Sequence, residues 1–114
     1  MNFQSSHFWG RYAEFLTALY LRTSGYKVIN RNYKSRLGEI DIIAIKNNNI
    51  YAIEVKYRSN LDYSSWPYQH QQQQRQNRQL QIFLTTHPFY QTFHVRLALA
   101  LVSPLRMPKL IVYS

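Results

Sequence analysis

The acidic residues of this chain are few, and their spacing is the feature that could do chemistry. Among 114 residues there are five Asp or Glu, namely Glu14, Glu39, Asp41, Glu54 and Asp62, and three of them fall within residues 39–54. Glu54 stands thirteen positions after Asp41, and Lys56 follows at the next alternate position. Two carboxylates side by side repel, so each must protonate or share a cation. A hard divalent ion, Mg²⁺ or Mn²⁺, satisfies such a pair: it takes one or two carboxylates and keeps waters and a substrate phosphate as its other ligands. An ion held that way activates a water and neutralises charge building on a phosphodiester. Lys56 would stand beside it as a point charge, orienting the attacking water or the scissile phosphate. The Val55 carbonyl, between the two charged residues, would offer one more metal ligand. The plain alternative is a solvated strand whose Glu-x-Lys forms a weak surface ion pair.

The elements that must position these groups can be read from the pattern. Residues 38–46 (GEIDIIAIK) and 50–58 (IYAIEVKYR) are β-rich runs flanking Asn47-Asn48-Asn49, which predicts a hairpin. A three-residue turn would put Asp41 on the face of Val55. An Asn48-Asn49 turn instead pairs Ala44 with Ile53, Ile42 with Val55 and Ile40 with Tyr57, giving one continuous apolar face. The other face then collects Glu39, Asp41, Glu54 and Lys56, with Asp41 opposite Lys56 and Ile43 opposite Glu54. The apolar pattern favours this second register.

Around the hairpin, residues 5–24 predict a helix capped by Ser5 or Ser6, with Phe8, Tyr12, Phe15, Leu16 and Leu19 at helical spacing and Gly25 as its stop. Residues 26–33 read as a short strand, 34–38 (KSRLG) as a basic loop and 59–68 as loop. A second helix is expected over 69–86, polar at first and apolar at Leu80, Ile82, Phe83 and Leu84. Eight Gln in residues 69–81 suit either a frayed polar helix or an adaptable surface for phosphates and bases. Strands at 93–102 and, at the edge, 109–113 complete the order α-β-β-β-α-β. This is an α/β chain with one domain over residues 1–114, a mixed sheet with helices packed on it.

The balance of charge points to a polyanionic partner. Lys and Arg number 14 against five acids, for a formal charge of +9, and bases gain free energy by displacing counterions from phosphates. Arg22, Lys27, Arg31, Lys34 and Arg36 run without an acid across 22–36, a candidate DNA-backbone face. Tyr33, Tyr57, Tyr63, Trp66 and Tyr68 suit base stacking or core and rim packing. The absence of cysteine excludes disulfides, a thiolate nucleophile and a Cys-type zinc site. The histidines lack zinc spacing, no glycine-rich phosphate loop is present, and no nucleophile elbow appears. No secretory leader is evident and no apolar run approaches the roughly 20 residues that span a bilayer, so a cytoplasmic domain with no membrane partner is expected.

At this point the residues resemble a known pattern. Asp41 with Glu54-Val55-Lys56 resembles the PD-(D/E)XK nuclease core. More closely, the chain resembles the YraN-like family of small bacterial proteins, related in fold to archaeal Holliday junction resolvases. The matching residues are Gly10, Ala13, Glu14, Ala18, Gly25-Tyr26, Asn32, Gly38 to Ile43 and Glu54 to Arg58, in order across residues 10–58. The resemblance implies a restriction endonuclease-like three-layer fold, Asp41 and Glu54 as metal ligands, and Lys56 as the catalytic lysine. It also brings Glu14, otherwise a helix-surface carboxylate, into the same site, and leaves Glu39 at the rim or paired with Arg36 or Arg58. Two departures stand out: Gln72-Gln73 where a Lys before Gln is expected, and Arg96-Leu97-Ala98 where Arg-Phe-Asp is expected. Arg31, Lys34, Arg36, Arg58, Gln73, Arg75 and Arg78 are the expected nucleic-acid contacts. The reading is a Mg²⁺- or Mn²⁺-dependent endonuclease for DNA, branched or otherwise structured, or else a non-catalytic nucleic-acid-binding module that keeps the fold. A homodimer would serve two-strand cleavage, and no residue specifies its interface, although strands 97–102 and 109–113 are available.

Overall fold

The computed structural model describes residues 3–58 and 70–113. Helix α1 (Phe3–Thr23) leads into β1 (Lys27–Ser35), β2 (Gly38–Lys46) and β3 (Asn49–Tyr57); helix α2 (His70–Thr85) and a 3₁₀ turn (Pro88–Tyr90) follow, then β4 (His94–Val102) and β5 (Lys109–Val112). The strands form one sheet in the order β1-β2-β3-β4-β5. Among the described residues only the β3–β4 pair is parallel, joined by the crossover that carries α2. The expected α/β class and element order hold, with 109–112 as the edge strand. Asp62, Tyr63, Trp66 and Tyr68 lie outside the described residues. Among the described residues no helix is long and apolar enough to cross a membrane.

Three layers result because the sheet is apolar on both faces. Against α1 lie Ile42, Ala44, Ile53, Ala98 and Ala100, facing Ala18 and Leu21. Against α2 lie Ile43, Ile50, Ala52 and Leu97, facing Leu80, Phe83 and Leu84. Each buried Ile or Phe contributes about 1.5–3 kcal/mol, so the central hairpin is the best-anchored part of the chain. Lys46 ties the C-terminal end of α1 to it, its Nζ donating to the Ser24 carbonyl at 2.8 Å and sitting 4.7 Å over the Tyr26 ring.

Several sequence expectations are corrected. Helix α1 starts at Phe3, so Ser5 and Ser6 lie within the helix rather than at its cap. Its apolar stripe is turned outward: Phe8, Tyr12, Phe15 and Leu19 are exposed, while Ala13, Thr17, Ala18 and Leu21 are buried. Small residues face the sheet because alanines at 98 and 100 let the helix approach closely. Strand β1 continues through Lys34 to Ser35, and Ser35 pairs with Gly38 across a two-residue turn, which shortens the predicted basic loop.

The hairpin turn is Asn47-Asn48, both at positive φ (52° and 63°), as tight two-residue hairpin turns require. Lys46 therefore pairs with Asn49, Ile43 with Ala52 and Ile42 with Ile53. This register is two residues from the predicted one, so the identities of the pairs change while the sharing of faces survives over the paired stretch from Ile42 to Lys46. The predicted continuous apolar face does not. Ile40 packs on the α2 side while Ile42 packs on the α1 side, although residues two apart on a strand ordinarily share a face. The alternation is reset at Asp41, and Asn32, between the paired positions Arg31 and Tyr33 on β1, takes φ 56° opposite it.

Two glycines predict opposite outcomes. Gly38 has φ +128°, and a Cβ there would lie 2.7 Å from Gln79 Nε2, so Gly38→Ala is expected to destabilise by about 1–3 kcal/mol. Gly10 sits in α1, and a Cβ there would have nothing within 4 Å, so Gly10→Ala is expected to stabilise by about 0.5–1 kcal/mol. Urea unfolding of both variants checks the pair.

Candidate active site

The site forms where the β2–β3 ladder ends. Beyond the Ile42–Ile53 pair, the Asp41 side chain takes over as acceptor: the Val55 N–H donates to Asp41 Oδ2 at 2.8 Å. A carboxylate thus replaces a neighbouring strand's carbonyl, and its other oxygen is left to act. Glu54 and Lys56, one pleat apart on β3, share a face and form an ion pair, Lys56 Nζ to Glu54 Oε1 at 3.1 Å. Beside them opens a cavity of about 150 Å³ lined by Glu39, Asp41 and Glu54 from the strands and by Gln72, Arg75, Gln76 and Gln79 from α2.

From the other layer, α1 contributes Glu14. It accepts a hydrogen bond from the Asn32 side chain and lies 3.7 Å from Arg31 Nη2, while its Oε1 is buried with no hydrogen-bond partner. Burial raises its pKa above the ordinary value, opposed chiefly by Arg31. Asp41 is pushed further, from 3.8 to about 6: burial is the main cause, the Val55 N–H opposes it, and the charges of Glu14, Glu54 and Glu39 add to it. Three acids, Glu14, Glu54 and Glu39, are therefore electrostatically joined to Asp41, two of them partly compensated by Arg31 and Lys56.

Such a cluster suits a hard divalent cation. Among the described residues no group of three or more His, Cys, Asp or Glu that could hold a metal ion is assembled. Mg²⁺ needs only one or two carboxylates, with water and phosphate as the rest. Asp41, Glu54 and the Val55 carbonyl supply oxygen donors alone, and these residues fit that ion.

The predicted site residues are brought together to different degrees. Asp41, Glu54, Val55 and Lys56 adjoin one another, and Glu14 comes within electrostatic reach. Glu39 is exposed at the cavity rim. Arg31 is engaged with Glu14. Lys34 and Arg36 are exposed near the β1–β2 turn that borders the cavity, Arg75 and Arg78 are exposed on α2, and Gln73 is half-buried. Arg58 donates to the Tyr57 carbonyl at 2.7 Å. Tyr33 packs edge-on against Phe83 and Tyr57 stacks on Trp9 at 5.2 Å, so both rings already have protein partners.

The role of the glutamines does not follow from sequence reading. Gln76 and Gln79 are buried: Gln76 Nε2 donates to the Ala52 and Ala98 carbonyls, and Gln79 Nε2 to the Leu37 carbonyl at 2.9 Å. The first half of α2 is neither frayed nor a purely solvated surface; it is bolted to the sheet by side-chain amides. A signal exists, since Gln72, Gln76 and Gln79 fall on one helical stripe with Phe83.

Comparison with known proteins bears on the family and the fold. The model of the uncharacterised protein family UPF0102 matches residues 13–102. A UPF0102 protein of Nitrobacter winogradskyi is 36% identical over 100 residues, covering 88% of this chain and 85% of its own length. One from Rhodopseudomonas palustris is 37% identical over 97 residues, covering 85% and 76%. Among solved structures, a Holliday junction resolvase from the archaeal hyperthermophile Archaeoglobus fulgidus superposes with a TM-score of 0.57 at 21% identity, covering 90% of this chain and 75% of that one. That likeness establishes the restriction endonuclease-like fold.

The raised Asp41 pKa makes a signed prediction. Between pH 4 and 6 the folded chain holds a proton that the unfolded chain releases, so stability falls as pH rises through this window, by about 3 kcal/mol for a shift from 3.8 to about 6. Asp41→Asn keeps an acceptor for Val55 and removes the charge. In chelator it is expected to exceed the parent's stability at pH 7.5 by about 1–3 kcal/mol and to match it below pH 4, as measured by urea unfolding at both pH values.

Proposed function

The chain belongs to the uncharacterised protein family UPF0102, and we propose that it is a metal-dependent endonuclease that hydrolyses phosphodiester bonds of DNA, branched or otherwise structured DNA included. The observation that carries this reading is the Val55–Asp41 hydrogen bond beside the Glu54–Lys56 pair: it fixes two carboxylates and an ammonium at the end of one hairpin, bordering a cavity. The fold likeness to a Holliday junction resolvase supports a branched DNA substrate. The +9 charge supports binding of the phosphate backbone, with Lys34, Arg36, Arg58, Gln73, Arg75 and Arg78 as contacts. Arg31 would contribute after exchanging its Glu14 partner.

Asp41, Glu54 and the Val55 carbonyl would hold Mg²⁺ or Mn²⁺, which when bound supplies Lewis acidity at the scissile phosphate and lowers the pKa of a water. Asp41, anchored by Val55, presents its second oxygen without rotamer search. Lys56 stabilises the extra negative charge on the phosphate as the water's oxygen attacks. One P–O ester bond breaks as the new P–O bond forms; the hydroxyl of water ends on phosphorus and its proton on the departing sugar oxygen. The same reading places the protein in the cytoplasm.

A second reading, a binding module without turnover, draws on one observation. Lys56 is already paired with Glu54, and an ammonium neutralising a metal ligand can stand in for the ion. The two readings separate on four-way-junction and linear DNA incubated with Mg²⁺, Mn²⁺ or chelator. Product is expected with metal alone, lost with Asp41→Ala and lowered about 100-fold or more with Lys56→Ala. Binding without product in every metal would favour the module, with affinity falling about 0.9 log unit per log unit of salt for each phosphate neutralised.

A further inference from the structure

The outward stripe of α1 lies outside the core clusters of the sheet and outside the proposed reaction, with its Trp9 ring stacked on Tyr57. Phe8, Trp9, Tyr12, Phe15 and Leu19 are 60%, 37%, 43%, 55% and 46% exposed. At roughly 200 Å² per large side chain they present on the order of 450 Å² on one helix, at the upper end of what a monomer leaves to water. The residues that hold α1 to the sheet, Ala13, Thr17, Ala18 and Leu21, occupy the opposite side, so the stripe is surplus to the monomer's core.

Its spacing identifies the occupant. Phe8, Tyr12, Phe15 and Leu19 follow one another at intervals of four, three and four residues, the heptad seam by which two helices interlock. The seam is also symmetric about its midpoint, between Tyr12 and Phe15. A second copy related by a two-fold axis through that point sets Phe8 against Leu19 and Tyr12 against Phe15, and then repeats both contacts, as an isologous interface must. Exposed Arg11 and Arg22 flank the stripe; antiparallel pairing staggers each from its counterpart, whereas parallel pairing would oppose like charges. The five residues of two copies together bury about 900 Å², and the flanking Leu16, Tyr20 and Arg11 carry the contact past the roughly 1,000 Å² expected of a specific interface.

We propose that the chain forms a homodimer through antiparallel pairing of its α1 helices, and that the expected edge-strand interface is not the one used. The proposal is independent of catalysis, so it is tested without metal or DNA. Sedimentation equilibrium is expected to show a dimer for the parent. Phe15→Glu should weaken it at least about 30-fold, the size of a hot-spot loss, with an unchanged melting temperature at low concentration, since Phe15 is exposed in the monomer. The chain has no cysteine, so single-cysteine variants report the geometry. A mixture of Phe8→Cys and Leu19→Cys should cross-link on oxidation, and neither should cross-link alone. A parent that stays monomeric, a dimer indifferent to Phe15→Glu, or Phe8→Cys cross-linking to itself would each overturn the proposal. So would a monomer in which Phe15→Glu abolishes DNA binding, which would assign the stripe to nucleic acid.

Discussion

One hydrogen bond organises this molecule: the Val55 N–H to Asp41 Oδ2. Within the hairpin each backbone acceptor is another backbone carbonyl, until Asp41, where a side chain takes the part. A backbone amide buried between strands must find an acceptor, so Asp41 is a structural requirement whatever chemistry its second oxygen performs. By accepting that bond it lets β2 leave its partner, and the space opened is the cavity beneath α2. It also fixes the carboxylate among Glu14, Glu39 and Glu54 and holds it where ionisation is costly. Asn32, with φ 56°, accommodates the same break on β1. Asparagine suits both demands, tolerating the left-handed conformation and reaching Glu14 with its amide.

Much of this was legible because it is local. Alternation of apolar residues on two adjacent runs with Asn between them specified the hairpin and kept Glu54 and Lys56 on one face, whereas Asp41 joins them through its hydrogen bond to Val55 rather than through register. The turn misled because all three of Asn47, Asn48 and Asn49 tolerate positive φ, so composition could not choose which two would turn. The face that α1 turns to the sheet was not legible, for a different reason. Helical periodicity reports where large apolar residues lie, and here the sheet required small ones.

The glutamines of α2 show what composition conceals. A run of Gln reads as surface, because an amide without partners is expensive to bury. At Gln76 and Gln79 the partners are strand and turn carbonyls, which a sequence does not display until the helix is laid across β3 and β4. The amide donors then fasten a helix whose first half has little apolar surface of its own. Position along the stripe, with Leu80 and Phe83 continuing it, distinguishes these two from their solvated neighbours.

The topology gives α2 a further consequence. The hairpin that carries the acids closes through a two-residue turn, whereas α2 arrives on a crossover between strands that are remote in sequence, at a much greater cost in loop entropy. Glu39, Asp41 and Glu54 are therefore brought together by local pairing, and α2 supplies the wall that closes their cavity. Because Leu80, Phe83 and Leu84 of the same helix fill the core of that layer, the wall over the acids and the core beneath it are one piece: loosening either loosens the other.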